Sequence, residues 1–263
     1  MAVDYRNPSV MYLTTSAGIF RRVGDSPWTF VHPLKAWTLA VDFGNADILW
    51  AGAVWTTEYN SILLKSTDAG RTWGKADFGM QCGMYCWVSA IAIDPVDPNV
   101  MYANVRYSGR FGWPSGWVFR GGPDGHWERL EVGAASQTTF EFPGQEGACM
   151  AHGLAFDPNL RRLYVGCDAY YYNMNQFLML KSDNAHEPDS SQVRWEQAAS
   201  LGESDPYFGI GSFAPLAVNA REPKSLYAAL MGRQPGTNQP YRLLVSHDDG
   251  KTWENLAVPD AQN

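Results

Sequence analysis

Long apolar runs are missing from this 263-residue chain: nowhere do the about eighteen consecutive apolar residues of a membrane helix occur. The opening Met1-Ala2-Val3-Asp4-Tyr5 has neither a basic segment nor an apolar signal core. A membrane is therefore not expected as a partner. Clustered positive charge is also scarce. Twenty Lys and Arg stand against twenty-seven Asp and Glu, giving a formal charge of −7, and no stripe of cations could follow a phosphate backbone. This argues against nucleic acid. Segments of helical period are lacking, and no Asn-x-Ser/Thr acceptor occurs without an intervening Pro, so eukaryotic secretion gains no support.

Turn formers and large flat side chains are abundant. Twenty-five Gly and sixteen Pro supply frequent turns, while eleven Trp, thirteen Tyr and twelve Phe favour short, tightly packed strands. With 45% hydrophobic residues the chain can bury a full core.

Two patterns repeat along it. In the first, a short apolar strand ends in Asp or Asn, a polar turn follows, and a second strand centres on Tyr or Trp. It occurs at Ala2-Val3-Asp4, Leu39-Ala40-Val41-Asp42, Ile91-Ala92-Ile93-Asp94, Leu154-Ala155-Phe156-Asp157 and Leu216-Ala217-Val218-Asn219. The second pattern follows each copy of the first and ends in Trp. Its full forms are Ser66-Thr67-Asp68-Ala69-Gly70-Arg71-Thr72-Trp73 and Ser246-His247-Asp248-Asp249-Gly250-Lys251-Thr252-Trp253. Degenerate forms end at Trp28, Trp127 and, after an insertion, Trp195. The Asp markers recur on average every ~54 residues and the Trp markers every ~56. Each unit reads as four strands, A to D, with the Asp turn between A and B and the Trp motif between C and D. Such units, repeated radially, predict an all-β propeller of about five four-stranded blades. The expected domain is 1–263, with repeats at approximately 1–32, 33–80, 81–143, 144–202 and 203–263. Only Met1-Ala2-Val3 precede the first Asp, which fits either five-bladed closure with a clipped first strand or a piece of a larger, seven-bladed propeller.

Ser-x-Asp-x-Gly-x-Thr-Trp resembles the Asp-box, or bacterial neuraminidase repeat, of sialidases, xyloglucan-degrading glycoside hydrolases, sortilin-type domains and photosystem assembly propellers. The resemblance covers all five units and implies the blade architecture. It assigns Asp68, Asp248, Trp73 and Trp253 to structure. Sialidases of this class carry Phe/Tyr-Arg-Ile-Pro, whereas this chain has Phe20-Arg21-Arg22-Val23, so a typical sialidase is not expected. Xyloglucan-degrading relatives pair two seven-bladed domains, against material for five blades here.

If A–B and C–D turns share one end of each blade, the B–C and D–A connections share the other, where such propellers bind ligands. Those connections are expected to hold Trp55 and Tyr59 in the second unit, and Arg106, Trp113 and Trp117 in the third. They hold Tyr170, Tyr171 and Tyr172 in the fourth, with His152 just before it; Trp37 and Trp87 lead into first strands. Aromatic faces beside polar groups suit sugar rings, which makes an oligo- or polysaccharide the expected partner. Glycoside hydrolysis needs two carboxyl groups, and Asp168 and Glu146 are the best placed. The leading expectation is a carbohydrate-active propeller of xyloglucanase type; the rival is a non-catalytic glycan-binding or protein-docking propeller. No cofactor or metal is expected, because Cys82-x₃-Cys86 lacks a second matching pair. Cys82 with Cys86, and Cys149 with Cys167, read either as disulfides or as buried free thiols. The location follows as extracellular or periplasmic if a signal peptide has been removed, and cytoplasmic otherwise.

Overall fold

A computed structural model of the chain describes residues 1–4, 6–56, 60–80, 86–108, 114–132, 141–142, 145–146, 150–169, 176–201, 211–219, 224–232 and 241–256. The fold is an all-β propeller of five four-stranded antiparallel blades, and the only regular helix among the described residues is a 3₁₀ turn at Ser190–Gln192. The chain divides into two compact units, Met1–Leu130 and Glu131–Asn263.

The first unit holds three blades. Strands A to D are Ala2–Val3, Val10–Thr15, Gly18–Val23 and Thr29–His32 in blade one. In blade two they are Ala36–Val41, Leu49–Thr56, Ser61–Ser66 and Gly74–Lys75. Those of blade three are Cys86–Ile93, Met101–Ser108, Pro114–Gly121 and Trp127–Leu130. Among the described residues, a pairing of Val54 with Trp87 joins strand B of blade two to strand A of blade three. The second unit holds blade four (Met150–Asp157, Arg162–Ala169, Gln176–Ser182, Glu196–Leu201) and blade five (Gly211–Asn219, Ser225–Gly232, Tyr241–Ser246, Glu254–Leu256). A small hairpin pairs Glu141–Phe142 with Gln145–Glu146.

Strand B lies between two neighbours of its own sheet; in blades two, three and four it carries an unbroken buried run, whereas in blade one Val10 and Tyr12 are buried and Met11 and Leu13 are not. Leu49, Trp50 and Ala51 are all fully buried, as are Tyr12, Tyr102 and Tyr164 at the equivalent aromatic position. Burial of each such side chain contributes about 2 kcal/mol. Gly52 permits the approach of blades two and three: a Cβ there would stand 2.7 Å from the Val88 carbonyl oxygen and 2.6 Å from Thr38 Cγ2. The repeat Trp residues complete these layers. Trp73 packs on a cluster from blades one and two, Trp127 on one from blades two and three, and Trp253 on one from blades four and five.

Candidate functional site

The A–B turns are closed by their Asp residues. Asp94 is fully buried and its Oδ1 accepts from the amides of Val96 at 2.8 Å and Asp97 at 3.3 Å. Asp157, also fully buried, accepts from Asn159 at 2.9 Å and Leu160 at 3.3 Å. The two full Ser-x-Asp-x-Gly-x-Thr-Trp turns share one hydrogen-bond pattern. Ser66 Oγ donates to Asp68 Oδ1 (2.8 Å) and accepts from the Gly70 amide (2.9 Å), while the Thr72 amide and hydroxyl donate to Asp68 at 2.8 and 2.7 Å. Trp73 Nε1 donates to the Gly70 carbonyl at 2.9 Å. In blade five the same donors act on Asp248, at 2.8 Å from Ser246, 2.8 Å from the Thr252 amide and 2.7 Å from the Thr252 hydroxyl. Gly70 and Gly250 take φ of 84° and 89°, the left-handed region that a Cβ disfavours. The Thr72 amide and hydroxyl hold the Asp68 carboxyl down at about 2, and the Thr252 hydroxyl and amide do the same for Asp248. Carboxylates fixed as acceptors at so low a pKa cannot deliver a proton near neutrality, so these Asp residues organise turns.

Several of the residues that the sequence marks for ligand contact sit in strands rather than connections. Trp55 lies in strand B of blade two, Arg106 near the end of strand B of blade three, and Trp117 in strand C of blade three, paired with Val105. For Trp117 the placement in a connection is corrected to a strand: it is partly buried against the blade-two and blade-three core, its carbonyl accepts from Asn104 Nδ2 at 3.2 Å, and the Arg129 guanidinium stands 5.7 Å from its ring centre. Arg106 stacks 5.5 Å over the ring of Trp87. Pairing runs past the aromatic marker because the neighbouring strands are eight residues long and keep supplying backbone partners.

In the second unit, Asp168 is the penultimate residue of strand B of blade four, paired with Met150 on one side and Phe177 on the other. Glu146 ends the small hairpin, opposite Glu141 and four residues before Met150. His152 lies within strand A of blade four rather than before it. Tyr59, Trp113, Tyr170, Tyr171 and Tyr172 lie outside the described residues. Cys86 and Cys167 are both disulfide-bonded, which replaces the free-thiol reading at those two positions.

A feature without a sequence signal is a recurrent bulge in strand A. Its pairing with strand B skips Trp37 in blade two, Ser89 in blade three and His152 in blade four, each five residues before the turn Asp. Bulges re-aim a side chain and are frequent beside binding sites. Trp37 is 66% exposed, a large apolar face presented to solvent from a strand. Among the described residues, no group of three or more His, Cys, Asp or Glu is arranged to hold a metal ion.

The chain matches no protein-family profile and no curated protein sequence. Its fold is similar to that of the GH74 xyloglucanase from Xanthomonas campestris, at 18% identity and a TM-score of 0.57, over 99% of this chain and 38% of that one. An ancestral GH74 enzyme is similar at 16% identity and a TM-score of 0.51, over 96% of this chain and 37% of the other. The chain thus spans well under half the length of these two structures.

Proposed function

We propose that the chain is a carbohydrate-active, Asp-box-type propeller of the glycoside hydrolase kind, acting on a neutral polysaccharide of the xyloglucan class, with Asp168 and Glu146 as its carboxyl pair. The observation that carries the reading is the pairing of Asp168 with Met150: it limits the backbone separation of the two acids to the four residues from Glu146 to Met150 plus one strand spacing. One carboxylic acid protonates the leaving glycosidic oxygen. The other acts as nucleophile if the pair closes to about 5 Å, or as base toward a water at roughly 6.5 to 9.5 Å. Trp55, Tyr59, Trp113, Tyr170, Tyr171 and Tyr172 stack on sugar rings, and Arg106 and His152 donate to hydroxyls. The disulfide at Cys167, next to Asp168, braces the strand that holds the acid and supports an oxidising, extracellular or periplasmic location.

The test is reducing-sugar release from xyloglucan, glucan and pectic substrates, read beside a glycan array. Asp168→Asn and Glu146→Gln lower turnover by at least about 100-fold while glycan binding persists; undiminished turnover removes these residues. Binding without release by the unaltered chain leaves a glycan-binding module. A second reading, a protein-docking propeller, is favoured by the inward stacking of Trp117 and by the pairing of Arg106 with Trp87, and absence of both binding and release selects it.

A further inference from the structure

At the Asp-turn end of the first unit, the short C–D turn of blade one and the full turn of blade two line an open-sided cavity of about 460 Å³. Arg21, Ser26, Thr29, Phe30, Ala69 and Arg71 are among its lining residues. Arg21 Nε donates to the buried Tyr12 hydroxyl at 3.1 Å, and its guanidinium lies 5.8 Å from the Tyr12 ring centre. The Arg71 guanidinium donates to the Asp68 carbonyl at 3.2 Å. Neither guanidinium forms an ion pair with a carboxylate among the described residues. The acids around them are otherwise engaged or more distant: Asp25 pairs with Arg22 at 3.3 Å, Asp68 accepts within its own turn, and Asp47 acts on Tyr12 from beyond bonding range.

The corresponding place in the second unit shows what this one lacks. There Tyr164 stands in the position of Tyr12, and Asp249 in the position of Ala69 within the turn motif. Tyr164 donates to Asp249 at 2.7 Å, and Arg162 and Lys224 pair with the same carboxylate. In the blade-one site the Tyr12 hydroxyl donates instead to the Ala46 carbonyl at 3.1 Å, and two cations, at positions other than those of Arg162 and Lys224, stand near a methyl group where that carboxylate would be. A carboxylate brought by a ligand completes it, held by charge-assisted bonds in a partly desolvated setting. Phe30, 52% exposed, offers an adjoining apolar face, and the Ser26 and Thr29 hydroxyls can bond to a polyol. The volume falls within the range of small-ligand pockets.

We infer that this cavity binds a small carboxylate-bearing sugar of the uronic acid kind, its carboxylate between Arg21 and Arg71 and its ring against Phe30. The site is separate from the carboxyl pair proposed above, so either can fail without the other.

Calorimetric titration with a galacturonate disaccharide tests it. Saturable binding is expected, weakening with salt, with the methyl-esterified disaccharide at least about 10-fold weaker. Arg71→Gln, at an exposed position, costs about 10-fold in affinity, and Ala69→Asp, which supplies the missing carboxylate from within, abolishes binding in a folded protein. Unchanged affinity in both variants, equal binding of the ester, or no binding at millimolar concentration overturns the site. Equal binding of a triglutamate peptide overturns the sugar assignment. Reducing-sugar release by Ala69→Asp equal to that of the unaltered chain separates this site from the carboxyl pair.

Discussion

The junction of blades one and two and the junction of blades four and five share a buried strand-B tyrosine and the same Ser-x-Asp-x-Gly-x-Thr-Trp turn, yet they differ in charge. At the second, Arg162 binds both Asp183 and Asp249, and Lys224 lies 2.8 Å from the buried Asp157 and 3.0 Å from Asp249. Burial pushes the Asp249 carboxyl up, but hydrogen bonds from Tyr164 and Lys224 and the charges of Arg162 and Lys224 outweigh it and hold the carboxyl well below its ordinary value. At the first junction Arg21 and Arg71 face a cavity with no such carboxylate. Several positions make the difference: Asp249 against Ala69 in the turn, and Arg162, Asp183 and Lys224 against Val10, Val23 and Asp47 in and beside the strands. A repeat can thus conserve its backbone bonds while its variable positions give each junction a different role.

The strongest way to break this contrast is to remove one cation from each junction. Arg162→Ala leaves the mostly exposed Asp183 without its partner and Asp249 held by Lys224 and Tyr164 alone, and costs about 2 kcal/mol, between the loss of a surface pair and the orphaning of a buried charge. Arg21→Ala orphans no charge and costs about 1 kcal/mol, the worth of its bond to Tyr12. Urea unfolding of the two variants measures the difference, and equal losses would show that the second network is not a stability element.

Acid gives the next largest contrast. Hydrogen bonding from Arg162, opposed by burial, lowers the Asp183 carboxyl, and Asp249 is lowered as described above. A carboxyl whose folded pKa is depressed stabilises the fold above its unfolded value, here 3.8, and that contribution fades as pH falls below it toward the folded value. Asp68 and Asp248 are lowered alike, so they do not distinguish the junctions. The second unit should lose on the order of 1 kcal/mol more than the first between pH 5 and pH 3, after allowing for solvent screening. Amide exchange followed by mass spectrometry, comparing peptides over residues 162–182 with those over 10–23, checks this; earlier loss of protection in the first unit would contradict it.

What the sequence revealed and what it did not follow from the range of the interactions. Asp94, Asp157 and the Ser66 and Ser246 turns bond to amides within four residues, so their spacing is a complete local signature. Trp50, Tyr102 and Tyr164 are legible because a strand buried on both faces needs a continuous apolar run, and Tyr12 because it falls on the buried face of an alternating strand. The bulges at Trp37, Ser89 and His152 depend on how a partner strand is registered, which no local pattern encodes. For the same reason Trp55, Arg106, Trp117 and Asp168 read as loop residues although pairing continues through them. The Arg21 and Arg71 site was hidden most deeply, because its meaning lies in a cavity between a blade-one strand and a blade-two turn fifty residues apart.

The smallest predicted effect sharpens the comparison most. Ala69 has φ of 61° and Asp249 φ of 68°, so the turn already holds both residues in the left-handed region, which Asp tolerates better than Ala. Ala69→Asp therefore brings no new backbone strain and places a carboxylate where Asp249 meets Tyr164, now beside Tyr12 and Arg21. Desolvating that carboxylate offsets part of its attraction to the two guanidinium groups, leaving a net gain of about 0.5 kcal/mol, read as a higher urea midpoint with an unchanged slope. A loss of stability would mean that the acid fails to reach Arg21, so that the pocket is shaped by more than the one missing carboxylate. A gain, with binding of the acidic disaccharide abolished in the same variant, would show that Arg21 and Arg71 hold a carboxylate at position 69 from positions different from those of Arg162 and Lys224, which hold Asp249.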